Sequence, residues 1–291
     1  MRAREPEADS SGCLWLVATP IGSMEDLSPR ARRVLAAVDL ILAEDTRRTA
    51  RLLAHFEIPG RGRLKSFHEH NEREETDRVL DRLVNGAAVA LVSDAGTPVL
   101  SDPGFDLVRR ARERGCRVLS VPGPSSFATA LAASGQPPLP ATLAGFLPPR
   151  GGPRKARIRE LRAVPWTLVI LISPHRGAAE VADLAAGLGR ERPATLLAEL
   201  SKRYERAIVG TLGEVAESEE LRRPRGEYIL VVGAEPQAGA EAGGEDLDED
   251  LVRAVYREAV RRGLPRSEAL RWTAQRLGVT RRRIFELLAQ E

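Results

Sequence analysis

Four short loops of this chain carry the residue types that can hold a polar small molecule. The sequences ATPIGSMEDLS, AEDTRRT and SDAGTPVLSDPG each follow an apolar stretch, and VPGPSS follows a later one. Glycine lets the backbone approach a ligand closely, proline fixes the loop shape in advance, and serine or threonine adds a hydroxyl group. The pattern predicts a binding site with a fixed shape that recognises its ligand largely through backbone groups. The residues concerned are Pro20, Gly22, Ser93, Gly96, Thr97, Pro98, Pro122, Gly123, Pro124, Ser125 and Ser126.

The elements that position these loops have the alternating order of an α/β fold. CLWLVATP, DLILAED, AAVALVSD and CRVLSVPG have the composition of strands, whereas SPRARRVLAAV, ETDRVLDRLVNG and FDLVRRARERG have the apolar spacing of helices. This alternation is typical of a mostly parallel sheet, in which ligands bind at the carboxyl ends of the strands. We therefore expect the four loops to share one sheet edge. For any single loop, the alternative that it merely turns the chain stays open.

The rest of the chain contains a second α/β unit and a helical segment. Strands are predicted at ATLAGFLP, TLVILISP, ATLLAEL and YILVVGA, and helices over 155–163 and 177–188. The final segment has three predicted helices in the layout of a helix-turn-helix, with Gly278, Val279 and Thr280 as the turn. The predicted organisation is a disordered tail (1–12), two α/β domains (13–122 and 123–235), an acidic flexible linker (236–250) and a helical unit (251–291).

Composition excludes several classes of protein. No apolar run approaches the length of a membrane span, and the polar N-terminus MRAREPEADSSG is not expected to be a signal peptide. Cys13 and Cys116 are isolated, so neither a zinc site nor a disulfide scaffold is expected. A G-x-x-x-x-G-K-[ST] phosphate loop is absent, and no G-x-G-x-x-G follows a strand. We expect a cytoplasmic protein without a resident metal.

The ordered motifs VATPIG, AEDTRRT, SDAGTPVLSDPG, VPGPSS, GFLPPRG, SPHR and ELSKRYE resemble those of the tetrapyrrole methylase superfamily. These are class III methyltransferases that use S-adenosylmethionine (SAM). Within the superfamily, the motifs resemble the ribosomal RNA small subunit methyltransferase I family, which 2′-O-methylates a cytidine of 16S rRNA near the decoding centre. The resemblance implies two α/β domains with a SAM cleft between them, and a homodimer.

The resemblance also implies a set of cofactor-binding residues. Pro20 matches the proline of the first loop, and Ser125 and Ser126 match a pair of small hydroxyl residues. Ile172 and Ser173 match a strand end near the adenosine, although the family often has glutamate where Ile172 stands. The full implied set is Pro20, Gly22, Asp94, Ala95, Gly96, Thr97, Ser125, Ser126, Ile172 and Ser173.

A ribose hydroxyl is a poor nucleophile until a base removes or binds its proton, so the implied reaction requires a base. Lys202 or Arg47 could lower the pKa of the hydroxyl by placing a positive charge beside it. Asp45 has an alternative role as the N-cap of a helix that begins at Thr46. The candidate bases are Glu44, Asp45, Asp94, His68, His70, His175 and Glu199. The catalytic set taken from these candidates is Glu44, Asp45, Arg47, His175 and Lys202.

Two basic segments predict contact with the phosphates of RNA, and the resemblance implies that this RNA is the 16S rRNA of the small ribosomal subunit. RGGPRKAR is expected to be a flexible loop, and the helical unit carries ten arginines against four glutamates. Aromatic residues make up 4% of the chain, which favours recognition of a folded RNA over stacking of free bases. A tetrapyrrole methyltransferase and a non-catalytic ribosome- or nucleic-acid-binding factor remain alternatives. The predicted RNA contacts are Arg150, Arg154, Lys155, Arg157, Arg281, Arg282 and Arg283.

Overall fold

A computed structural model describes residues 12–234, 249–277 and 281–288, and these residues form two compact units, residues 1–234 and 235–291 of the chain. The predicted tail (1–12, apart from residue 12), almost all of the predicted linker (236–250) and the predicted turn at 278–280 lie outside the described residues. Within the described residues, no helix is long and apolar enough to cross a membrane.

The first unit contains two five-stranded sheets. The strands of the first sheet are β1 (Cys13–Val17), β2 (Leu40–Ala43), β3 (Leu64–Ser66), β4 (Ala88–Val92) and β5 (Arg117–Val121). The helices between them are α1 (Pro29–Ala37), α2 (Thr46–His55), α3 (Glu72–Val84) and α4 (Phe105–Glu113). The order is β3-β2-β4-β1-β5, and every pair is parallel, as predicted.

The register of the first sheet brings its loops together. Val17 pairs with Val92 on one side and with Val121 on the other, so three strands end at the same level. All five residues of β4 are buried, because apolar clusters cover both faces of the sheet. The loops that follow β1, β4 and β5 therefore leave one edge of the sheet.

The second sheet differs from the prediction in its strand directions. Its strands are β6 (Ala141–Phe146), β7 (Thr167–Ile172), β8 (Pro193–Ala198), β9 (Arg206–Thr211) and β10 (Tyr228–Val232). The order is β6-β7-β10-β8-β9, and only β6 and β7 pair in parallel. The last strand, β10, enters between β7 and β8 and runs antiparallel to both, and β8 and β9 form an antiparallel pair. Two α/β domains are confirmed, and this sheet is mixed.

Helices on this side of the unit follow the predicted apolar spacing in part. They are α5 (Ser126–Ala133), α6 (Gly151–Arg162), α7 (Gly177–Leu188), α8 (Leu212–Glu217) and α9 (Glu219–Arg222). Helix α7 has the predicted bounds, whereas α6 begins before the predicted residue 155. We call residues 12–122, built on the first sheet, the first lobe, and residues 123–234 the second lobe.

The described residues of the second unit form three helices, as predicted. They are α10 (Glu249–Arg261), α11 (Arg266–Leu277) and α12 (Arg281–Leu288). A small apolar core joins them and includes Val252, Leu270 and Ile284. The unit thus buries its own apolar faces.

The packing of α6 on α7 generates a stability prediction. A Cβ atom at Gly187 of α7 would overlap the Cγ2 atom of Ile158 on α6, and a β-branched side chain cannot readily move away. Gly187→Ala should therefore lower the free energy of unfolding by about 1–3 kcal/mol, despite the better helix propensity of alanine. Thermal unfolding monitored by circular dichroism measures this effect. Gly152→Ala, where a Cβ atom meets no heavy atom within 4 Å, is the matched control.

The same substitution in an Ile158→Ala background separates overlap from other causes. Removing the Cγ2 atom should abolish most of the cost of Gly187→Ala. An equal cost in both backgrounds would contradict the packing described here.

Candidate functional site

The loops after β1 and β4 are joined into one rigid turn. The backbone N–H of Thr19 donates to the carbonyl of Gly96 at 2.9 Å, and the N–H of Gly96 donates to the carbonyl of Thr19 at 3.0 Å. The buried Thr19 hydroxyl also donates to the carbonyl of Ser93 at 2.9 Å. The Ser93 hydroxyl in turn accepts from the N–H of Ala95 at 3.1 Å. The two loops that were predicted to form the binding site are thus fixed to each other by hydrogen bonds.

A cleft of about 320 Å³ opens beside this turn, and both lobes line it. Its volume falls in the range of small-molecule sites. The first lobe contributes Pro20, Gly22, Asp94 and Ala95 from the predicted set, and the second lobe contributes Lys202. The other lining residues are Thr19, Ile21, Met24, Arg48, Thr49, Arg51, Leu52, Ser93 and Glu227.

The two lobes touch at one side of this cleft. A Cβ atom at Gly22 would lie 2.5 Å from the carbonyl carbon and oxygen of Ser201, so only glycine allows this approach. The neighbouring Ile21 packs in an apolar cluster with Leu200 and other residues of the second lobe. The Ser201 hydroxyl donates to Oδ2 of Asp26 at 2.6 Å. The first loop is therefore held against the second lobe by both apolar and polar contacts.

The second-lobe loop that makes this contact has a strained backbone. Glu199 and Ser201 have positive φ angles of 55° and 62°, which L-residues rarely adopt. Such strain costs about 1–3 kcal/mol at each residue and is found mostly at functional sites. Both strained residues precede Lys202 in sequence, by three positions and by one position.

Two carboxylates hold the Lys202 ammonium group. Its Nζ lies 2.9 Å from Oε1 of Glu199 and 3.1 Å from Oε2 of Glu227. Burial alone would lower the pKa of Lys202, but the hydrogen bonds to Glu199 and Glu227 outweigh it and raise that pKa. Burial opposes a lower pKa for Glu199, yet the Glu227 N–H and Lys202 lower it. Lys202 is therefore a cation at the cleft, and Glu199 is ionised and occupied as its partner.

Carboxylates of the first lobe have the opposite behaviour. The pKa of Glu44 is raised, first by burial and then by the charges of Asp102 and Asp94, although His68 and Arg48 act against this. The pKa of Asp102 is also raised, mainly by burial, while Ser93 lowers it and Asp94 raises it. Asp102 was not among the residues predicted from the sequence. It lies at the end of the loop SDAGTPVLSDPG, between Ser101, which has a positive φ of 69°, and Pro103. Its place in a ligand-facing loop was the available signal.

Asp94 lies at the cleft and acts electrostatically on both Glu44 and Asp102. Its Oδ1 accepts from the N–H of Asp45 at 3.0 Å, and its Oδ2 lies 3.8 Å from a guanidinium nitrogen of Arg48. Both Asp94 and Arg48 line the cleft. The described residues contain no group of three or more His, Cys, Asp or Glu that could hold a metal ion.

Asp45 and Arg47 bond to each other at the start of α2. Oδ1 of Asp45 accepts from the Arg47 N–H at 2.8 Å, and Oδ2 lies 2.9 Å from Nη2 of Arg47. The side-chain hydrogen bond to Arg47 is the main reason that the pKa of Asp45 falls to about 2. Asp45 is thus the N-cap of α2, which was the alternative expectation, and neither residue is among those lining the cleft.

Histidine residues from the sequence-based set lie away from regular strands. His68 and His70 follow β3 in a loop and not on a strand, with ring centroids 5.8 Å apart. The buried Nδ1 of His68 has no hydrogen-bond partner. His175 is exposed in the turn before α7. Of these three histidines, His68 acts electrostatically on Glu44 and opposes the rise of its pKa.

The remaining predicted cofactor residues are not among those that line the cleft. The Thr97 hydroxyl donates to the carbonyl of Pro124 at 3.2 Å, which links the β4 and β5 loops. Ser125 is the N-cap of α5 and accepts from the N–H of Ala128 at 3.4 Å, and Ser126 is the first residue of α5. Gly96 lies against Ile21 and the β5 loop.

Ile172 and Ser173 differ from the predicted arrangement. The side chain of Ile172 is buried in the second-lobe core, so only its backbone remains available to a ligand. Ser173 is also buried, and its N–H donates to Oε2 of Glu180 at 3.0 Å. The apolar residue at 172 is therefore explained by packing beneath α7.

The predicted flexible basic loop is a helix. Residues 151–162 form α6, and Arg154 is 4% exposed. Its guanidinium group donates to the carbonyls of Pro148 and Pro149 and pairs with Asp183 at 2.9 Å. The expectation of a loop is wrong, and Arg154 anchors the GFLPP turn to α7 instead of facing solvent.

The other predicted RNA contacts have different surroundings. Arg150 and Lys155 are exposed. Arg157 pairs with Glu160 at 2.9 Å. Arg281, Arg282 and Arg283 begin α12, and their side chains lie outside the described residues.

Substitution of Gly22 tests whether the cleft depends on the close approach of Gly22 to Ser201. Gly22→Ala should weaken the binding of SAM, the cofactor that the resemblance implies for this cleft, roughly tenfold, because the added Cβ atom forces the two loops apart by overpacking. Isothermal titration calorimetry with SAM measures the change. Ser201→Ala removes the hydroxyl without adding bulk and should have a smaller effect. Unchanged affinity in Gly22→Ala would show that the cleft does not depend on this approach.

Comparison with solved structures places the fold among known ones. The crystal structure of diphthine synthase matches with a TM-score of 0.61 at 15% identity, covering 76% of this chain and 90% of that chain. Uroporphyrin-III C-methyltransferase from Thermus thermophilus, in complex with S-adenyl homocysteine, matches with a TM-score of 0.54 at 23% identity, covering 76% of this chain and 97% of that chain. At these identities the likeness concerns the fold alone.

Comparison of sequences is more specific. The family model for Tetrapyrrole (Corrin/Porphyrin) Methylases matches residues 13–216. Ribosomal RNA small subunit methyltransferase I of Xylella fastidiosa is 42% identical over 278 residues, covering 94% of this chain and 98% of the relative. The protein of the same name from Escherichia coli O157:H7 is 38% identical over 293 residues, covering 100% and 99%. The chain therefore belongs to the tetrapyrrole methylase family and, within it, to the ribosomal RNA small subunit methyltransferase I family.

Proposed function

We propose that this chain transfers a methyl group from SAM to the 2′-hydroxyl of a cytidine in 16S rRNA, near the decoding centre. The observation that carries the proposal is the cleft itself, where a hydrogen-bonded loop edge of the first lobe faces the Lys202 cation of the second. The relatives' name supplies ribosomal RNA as the substrate. The sequence resemblance supplies the cytidine ribose.

The residues of the cleft fit SAM as a cofactor. Asp94 and Arg48 give one part of the wall both signs of charge, which suits the ammonium and carboxylate groups of an amino acid. Ile21, Met24 and Leu52 give another part an apolar surface suited to a purine ring. Backbone groups of Pro20 and Ala95 would hold the polar atoms between these ends. When bound, SAM supplies an electrophilic methyl group on a positively charged sulfur.

Glu44 is the residue we assign as the general base. A hydroxyl nucleophile must lose its proton, and a carboxylate with a raised pKa accepts it more readily than an ordinary one. Lys202, held as a cation by Glu199 and Glu227, would stabilise the negative charge that develops on the ribose oxygen. The remaining contribution is positioning, since a fixed approach of oxygen to carbon supplies much of such a rate.

This chemistry favours a hydroxyl over the carbon of a tetrapyrrole. An electron-rich ring carbon is itself a nucleophile and does not need an adjacent base with a raised pKa. The helical unit with its excess of arginine has no evident use toward a small porphyrinoid, but it suits an RNA backbone. These two features support an RNA substrate.

Transfer of labelled methyl groups from SAM to isolated small ribosomal subunits tests the proposal. A 2′-O-methyl group blocks alkaline cleavage of the adjoining phosphodiester, so the label should appear in one resistant dinucleotide that begins with cytidine. Label on a base, or on a tetrapyrrole precursor but not on RNA, would contradict it. A non-catalytic factor would bind the subunit and show no heat of binding with SAM.

The raised pKa of Glu44 leads to a prediction for how kcat depends on pH. Glu44 acts as a base only when ionised, so its raised pKa places the acid limb of the kcat profile above the ordinary value of 4.5. Asp102→Asn removes a negative neighbour, lowers the pKa of Glu44 and should move this limb to lower pH. A profile of kcat against pH, measured at saturating SAM and subunit, gives the shift.

Glu44→Gln should lower kcat by about 10²- to 10⁴-fold and leave the affinity for SAM unchanged. Glu69→Gln, an exposed change in the loop after β3, is the matched control. An acid limb that does not move in Asp102→Asn, together with a retained rate in Glu44→Gln, would remove Glu44 from the mechanism.

A further inference from the structure

The helical unit has a groove on its surface that the proposed function does not use. Its volume is about 530 Å³, and all three helices contribute to it. Leu270 forms part of its wall and belongs to the apolar core of the unit. The residues that define its chemistry are Arg253, Tyr256, Arg257, Arg266, Leu270 and Phe285.

Helical spacing explains why these side chains share the groove. Arg253, Tyr256 and Arg257 are three and four residues apart on α10, so they lie on one face. Arg266 and Leu270 have the same relation on α11. Phe285 of α12 is 50% exposed, although the neighbouring Ile284 is fully buried. An aromatic ring is thus left partly in solvent beside three arginines, two on α10 and one on α11.

The charge of the groove is of one sign. Of its lining residues, all of them described, none is acidic. Nε of Arg257 donates to the carbonyl of Arg253 at 3.2 Å, and neither Arg257 nor Arg266 pairs with a carboxylate of the described chain. By contrast, Arg262 pairs with Glu258 outside the groove. The groove therefore complements an anion.

We infer that this groove binds a single-stranded segment of RNA, with phosphates on the arginines and a base against the aromatic rings. The inference rests on the proposed function for the identity of the polymer. Guanidinium groups bind phosphates, and base stacking on an aromatic ring stabilises single strands with little dependence on sequence. An acidic peptide would satisfy the arginines, but its acidic residues carry no aromatic ring for Phe285, whereas every nucleotide carries both a phosphate and a base. The low aromatic content of the whole chain gave no sign that two of its aromatic residues, Tyr256 and Phe285, line the same groove.

Fluorescence anisotropy with the full chain tests this inference. The probe is a fluorescein-labelled oligouridylate of about twelve nucleotides, which forms no duplex. The variant Arg257→Gln/Arg266→Gln should bind it roughly tenfold more weakly, with a salt slope lower by about 1.4. The matched control, Arg261→Gln/Arg271→Gln, removes the same charge from exposed positions of α10 and α11 outside the groove lining.

Phe285→Ser tests the stacking role separately. It should weaken binding at least about fivefold and leave the salt slope unchanged. Thermal unfolding of each variant shows whether the helical unit is intact. Because Phe285 is half exposed, its substitution should cost little stability.

Three results would overturn the inference. One is equal weakening in the groove variant and its control, which would indicate diffuse charge. Another is competition by polyglutamate as strong as that by unlabelled oligouridylate, which would indicate an acidic protein partner. The third is full binding by Phe285→Ser. Methyl transfer to small subunits is measured in parallel. If the wild type transfers methyl groups but the groove variants bind oligouridylate as well as their control does, the inference about the groove is refuted and the proposed function is not. A groove effect without transfer supports the groove and refutes the proposed function.

Discussion

The close approach of the first loop to the second lobe is the contact on which the cleft depends. Gly22 lies against the backbone of Ser201, and Ile21 enters an apolar cluster of the second lobe. Neither lobe alone has both walls of the site, since Lys202 and Glu227 come from one and Pro20 and Asp94 from the other. The strained backbone at Glu199 and Ser201 is the energetic cost of placing Lys202 at this junction.

Charge is divided between the two walls in a way that suits an acid–base reaction. On the second-lobe side, a lysine lies between two glutamates, so its proton is retained. On the first-lobe side, Asp94 lines the cleft, whereas Glu44 and Asp102 are not among the lining residues. Burial first, and then the negative charge of Asp94, raises the pKa of both Glu44 and Asp102 and favours proton uptake by them. Asp45, one residue from Glu44, is fully ionised because it caps a helix and pairs with Arg47. Adjacent acids in one motif thus have opposite protonation behaviour.

Sequence reasoning succeeded where a local pattern determines structure. The first lobe alternates strand and helix along the chain, so its parallel sheet and the shared edge of its loops could be predicted. It failed where distant residues decide. Nothing local indicates that β10 enters between β7 and β8, and β9 has half-exposed residues without a clear apolar face. Arg154 was expected at the surface because its neighbours are basic, but the carbonyls of Pro148 and Pro149 and the carboxylate of Asp183 hold it inside.

The position of β10 has a consequence for how the protein is made. Every strand of the first sheet lies within residues 13–121, so the first lobe can fold while synthesis continues. The second sheet lacks its middle strand until residues 228–232 have left the ribosome. Until then the facing edges of β7 and β8 have no partner and resemble the exposed edges that promote aggregation. A nascent chain of this enzyme is therefore most vulnerable to misassembly in the interval between the emergence of β8 and that of β10.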